Sequence, residues 1–134
     1  MTSWGRAIRL GLLTWLIPFV VAFLVFRWRE SNRALFESVM AVTVTSTAIG
    51  LGLAYLRRCP TAGAREGLSL GVVWFTICVL IDAPLMLLGG PMHMSVGAYF
   101  ADIGLTYLGI PLVTWGLGAA RSMVPIGSSD AGPG

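Results

Sequence analysis

Four stretches of this chain are apolar over lengths that suit a membrane crossing, and most of its charged residues lie between them. A helix must present roughly 20 apolar residues to cross a hydrocarbon layer about 30 Å thick. Residues 10–26, 34–56, 68–89 and 97–120 meet that demand. The first is the shortest, but Ala7, Ile8 and Arg9 can extend it, because an arginine at a helix end reaches back to the interface. The connections 27–33, 57–67 and 90–96 are too short to hold a soluble domain. Each helix is therefore expected to run antiparallel to the one before it. The predicted fold class is all-α: a polytopic membrane protein whose residues 1–121 form one four-transmembrane-helix up-down bundle with short loops. Residues 122–134, rich in Gly, Ser and Pro, are expected to form a disordered tail.

Composition agrees with this reading. Of 134 residues, 56% are apolar and 11% are charged, against about 25% charged in an ordinary soluble domain. Mean hydropathy is +0.81. These values exclude a water-soluble globule, a disordered chain and a disulfide scaffold. All nine basic residues are arginine, a usage that suits a GC-rich bacterial genome. The first apolar stretch runs into Phe26-Arg27-Trp28-Arg29-Glu30 without a small-residue cleavage site, so it reads as a retained helix and not a signal peptide.

Arginine placement sets an expected orientation. Arg6, Arg9, Arg57, Arg58, Arg65 and Arg121 fall on the side shared by the N-terminus, second loop and C-terminus. Arg27, Arg29 and Arg33 fall on the other. Six against three puts both termini in the cytoplasm of an inner-membrane, multi-pass protein. Trp4, Trp28, Tyr55 and Tyr99 sit near predicted boundaries, as an aromatic belt would. Cys59 and Cys78 differ in predicted depth, which argues against a mutual disulfide.

Helices in lipid associate through small residues and hydrogen bonds. The second apolar stretch offers Ser46, Gly50 and Ala54 at four-residue spacing, with hydroxyls at Thr43, Thr45 and Thr47. The fourth carries Gly97, Gly104, Gly109, Gly116 and Gly118. Pro18, Pro84 and Pro111 each remove a backbone hydrogen bond inside a span and free the carbonyls of Thr14, Leu80 and Tyr107. One internal echo is present: Leu13-Thr14-Trp15-Leu16-Ile17-Pro18 resembles Leu105-Thr106-Tyr107-Leu108-Gly109-Ile110-Pro111 with one gap. An inverted repeat maps the first half of a chain onto the second in order. First onto fourth does not fit that scheme, so the echo reads as coincidence.

Three acids lie within the spans: Glu37, Asp82 and Asp102. Acids at membrane depth are costly and mark candidate sites by default. All three fall in the outer half, and the hairpin of the third and fourth spans can face Asp82 toward Asp102. Ser95, Tyr99, Asp102 and Thr106 form one polar stripe, and Cys78, Asp82 and Met86 share a face. Three readings of the acids are open. In the first, Arg27, Arg29 and Arg33 pair with them and lock the outer end, which suits a non-enzymatic structural or accessory protein. In the second, Asp82 and Asp102 serve an oligomeric proton- or cation-coupled small transporter. In the third, Met92, His93 and Met94 supply soft metal ligands, or Asp82, Asp102 and His93 a harder set. No nucleophile triad, phosphate loop or second histidine indicates an enzyme, and no cofactor is expected. The expected partners are the lipid bilayer and either further copies of the chain or a larger membrane complex. The scattered arginines do not suit nucleic acid.

Overall fold

The computed structural model describes residues 3–59, 61–87, 95–99, 101 and 104–123. Their regular structure is helical throughout: α1 (Trp4–Ser31), α2 (Arg33–Arg57), α3 (Ala64–Leu87), the single turn α4 (Val96–Tyr99) and α5 (Leu105–Met123). Three helices are long and apolar enough to cross a membrane, namely α1, α2 and residues Ala64–Leu85 of α3. Within the expected fourth span, 97–120, the described residues fall in α4, in π-helical geometry at Ala101 and Gly104, and in α5. Three glycines, Pro111 and Arg121 dilute the apolar content of α5, which is not among the spanning helices. Of the expected tail, Ser122 and Met123 complete α5, and 124–134 lie outside the described residues.

The first connection is tighter than the sequence suggests. Only Asn32 separates α1 from α2. Its backbone N–H donates to the Trp28 carbonyl at 2.7 Å, and its side-chain oxygen accepts from the Leu35 N–H at 3.1 Å. One residue thus closes one helix and caps the next. The polar run on either side of it stays helical, so both helices project beyond their apolar segments.

Contacts fix the arrangement. Trp74 Nε1 on α3 donates to the Ala7 carbonyl on α1 at 2.8 Å, and Trp15 Nε1 on α1 donates to Asp82 on α3 at 2.8 Å. Both pairs are 67 residues apart. A constant offset means that α1 and α3 run parallel and in register. On α2, Gly52 lies against Leu117 and Thr114 of α5, and the Leu56 carbonyl meets Arg121, so these two helices also run parallel. Helices α1 and α2 pack as an antiparallel pair, as do α3 and α5, whereas α2 and α3 barely touch although they are consecutive.

The α3–α5 contact is the closest. Gly63, just before α3, and Gly67 and Gly71 in its first turns recur every four residues. A Cβ at Gly67 would stand 2.2 Å from the Thr114 carbonyl oxygen, and one at Gly71 would stand 2.2 Å from Thr114 Oγ1 and 2.4 Å from Pro111 Cα. Across the contact, a Cβ at Gly118 would lie 2.5 Å from the Gly63 carbonyl oxygen. Backbones that touch in this way gain dispersion contacts that larger side chains would block. The Ser46, Gly50, Ala54 stripe has the same spacing but faces outward, with nothing within 4 Å of a Cβ at Gly50.

Candidate functional site

Asp82 is the one buried acid among the described residues, with 4% of its surface exposed. Helix α3 carries it on the face that also bears Leu70, Trp74 and Cys78, all fully buried at helical spacing. Both carboxylate oxygens are occupied. Oδ1 accepts the 2.8 Å bond from Trp15 Nε1, and Oδ2 accepts a hydrogen bond from the Tyr107 hydroxyl. One side chain on α3 thereby joins α1 and α5, which sit on either side of it. Trp15 stands near the middle of α1, Asp82 in the last two turns of α3 and Tyr107 in the first turn of α5, so the node lies toward the end of the bundle where α3 finishes and α5 begins. Trp15 also stacks on Phe19, with ring centroids 4.7 Å apart.

The chemistry of this node follows from its donors. An indole N–H can only donate. A phenol can donate or accept, so Tyr107 can adjust to either form of the acid. A buried carboxylate without partners is costly, and two side-chain donors offset that cost. The two donors sit in similar local sequence. Trp15 follows Thr14 and precedes Pro18; Tyr107 follows Thr106 and precedes Pro111. The internal echo therefore marks both residues that bind Asp82, a correspondence that repeat topology alone did not value. No signal in the sequence paired them with the acid.

The other singled-out residues fall elsewhere. Arg33 Nε and Glu37 Oε1 are 2.8 Å apart within α2, at 62% and 53% side-chain exposure. This pair joins one turn of a helix to the next and does not connect two helices. Arg27 and Arg29 form no ion pair among the described residues. Thr106 is half-buried one position before Tyr107. Tyr99 lies in α4, and its side chain is outside the described part, as is that of Met86. Asp102, Met92, His93 and Met94 all lie outside the described residues. Among those described, no three of His, Cys, Asp and Glu come together. Cys59 and Cys78 are both buried and free.

A second polar node, absent from the sequence reading, ties the opposite end. The fully buried Tyr55 of α2 donates from its hydroxyl to Glu66 Oε1 of α3 at 2.8 Å, and the same hydroxyl oxygen accepts from the Ser3 backbone. Arg121 of α5 donates to the Leu56 carbonyl at the end of α2. That carbonyl belongs to the last turn of α2, where helix bonding leaves acceptors free and a cation is favoured.

No protein-family model, no curated protein and no solved structure matches the chain.

Proposed function

We propose that this is a non-enzymatic integral inner-membrane protein of structural or accessory role, crossing the bilayer four times with both termini in the cytoplasm. In this reading Asp82 is the tie that holds three helices together inside the layer. The observation that carries it is the full occupancy of Asp82 by Trp15 and Tyr107, donors from two different helices. Ring donors serve the purpose that arginine partners would serve, without a buried cation. The fourth crossing draws support from the antiparallel seat of α5 along α3. The orientation rests on six arginines against three.

One observation favours a second reading, the oligomeric proton- or cation-coupled transporter. Asp82 has no basic partner among the described residues, and an intramembrane acid without a counter-ion can carry a proton. Purified protein in liposomes separates the two. The structural reading expects Asp82→Asn to lower unfolding stability while wild type and variant leave an imposed pH gradient equally intact. Gradient dissipation by wild type, lost in Asp82→Asn, would favour transport instead. For topology, an impermeant thiol reagent applied from outside cells should label Ser95→Cys and spare Ser122→Cys.

A further inference from the structure

The two ends of the bundle differ in charge far more than the net charge of +3 suggests. One end gathers the start of α1, the end of α2, the start of α3 and the end of α5. Tyr55 meeting Glu66 and Ser3, together with Arg121 meeting Leu56, fixes these four termini beside one another. Among the described residues this end holds Arg6, Arg9, Arg57, Arg58, Arg65 and Arg121 against one acid, Glu66, which is engaged by Tyr55. The opposite end holds Arg27, Arg29 and Arg33 against Glu30 and Glu37.

Among the described residues, the side chains of Arg6, Arg9, Arg57, Arg58 and Arg65 meet no carboxylate. Arg9, Arg57, Arg58 and Arg65 are exposed, and Arg6 is half-buried. Their backbones are well held. Arg58 N–H donates to the Tyr55 carbonyl at 3.2 Å, Cys59 N–H to Leu56 at 3.0 Å, and Ala62 N–H to Cys59 at 3.0 Å. Cys59 and Ala62 are buried, so the connection packs onto the bundle at these two residues. The end is thus a firm rim of guanidinium groups that meet no carboxylate among the described residues.

We infer that this arginine rim binds anionic phospholipid head groups, with Arg57, Arg58 and Arg65 as its centre and Arg6 and Arg9 as its flank. A guanidinium presents a planar fork of N–H donors that matches two phosphate oxygens, and it keeps its charge at any physiological pH. Juxtamembrane arginines are drawn to an anionic leaflet, and the attraction weakens with salt. The inference rests on the membrane-spanning reading but not on the role of Asp82.

The test uses the full chain in phosphatidylcholine vesicles containing brominated phosphatidylglycerol or brominated phosphatidylcholine. Trp4, exposed at the same end, reports neighbouring lipid by quenching once the other exposed indoles, Trp28 and Trp115, are replaced by Phe in every protein compared. Wild type is expected to prefer the anionic lipid about threefold or more at low salt. R57Q/R58Q/R65Q should bring the ratio close to one, and R27Q/R29Q at the other end should leave it unchanged. Should the triple variant fail to fold, R6Q/R9Q carries the test and should lower the ratio partway. Equal quenching by both lipids overturns the inference, as does a preference that survives the triple variant or falls equally in R27Q/R29Q. Displacement of the lipid by dissolved inorganic phosphate would also overturn it, marking a free-anion site. A chain that inserts into vesicles yet shows no preference overturns the lipid site alone and leaves the membrane reading standing.

Discussion

Trp15 on α1 donates its indole N–H to the Asp82 carboxylate on α3 at 2.8 Å, across 67 residues of chain. The bond joins two parallel helices that no short loop connects. Loss of the donor leaves a buried oxygen unsatisfied, and lipid offers no water to replace it. Trp15→Phe and Tyr107→Phe are each expected to lower unfolding stability by about 1–2 kcal/mol. Asp82→Ala should cost more than Asp82→Asn, because Asn keeps an oxygen for Trp15 and an amide that Tyr107 can accept. Chemical unfolding in mild detergent, followed by helical circular dichroism, measures all four variants.

Helix existence was legible in the sequence because apolar length is a strong signal, and α1, α2 and α3 follow it. Their ends were not, because helix continues through the polar run from Arg27 to Arg33 and only Asn32 interrupts it. The importance of Asp82 was legible from its cost in lipid. Its partners were not, because a sequence displays charge but not which helices become neighbours. Arginines looked like the natural counter-ions, yet α1 packs beside α3 and brings the Trp15 ring to the acid. The echo around Trp15 and Tyr107 includes neither the acid nor its helix, so nothing in the sequence joined either ring to Asp82.

The same limit applies to the glycines. Ser46, Gly50 and Ala54 have the spacing of a packing stripe, and so do Gly63, Gly67 and Gly71, but only the second set meets a backbone. Gly67→Ala and Gly71→Ala should therefore separate α3 from α5 and cost about 1–3 kcal/mol or more each. Gly50→Ala and Gly116→Ala, where a Cβ meets nothing within 4 Å, should be neutral or slightly stabilising. Thermal unfolding of the four variants in one detergent gives the ranking.

At the arginine-rich end, Arg121→Ala removes the donor to the Leu56 carbonyl, and Tyr55→Phe removes the bond to Glu66. Each is expected to cost about 1–2 kcal/mol. Both should also speed proteolysis of the connector 58–63, whose packing depends on the ends of α2, α3 and α5 staying together. Limited proteolysis timed against wild type reads this directly.

Glu37→Gln, by contrast, should be nearly silent. Its partner Arg33 lies one turn away on the same helix, and both side chains are more than half exposed. Pairs of this kind contribute about 0.3–0.5 kcal/mol. Unfolding stability should therefore fall within that range, well below the effect of any change at Asp82.

The most direct test is a double-mutant cycle between Trp15 and Asp82, using Trp15→Phe, Asp82→Ala and the double variant in equilibrium unfolding. A tie between α1 and α3 requires the two losses to overlap, with a coupling energy of about 1 kcal/mol or more. Additive effects, with coupling below about 0.3 kcal/mol, or an Asp82→Ala variant as stable as wild type, would contradict the account.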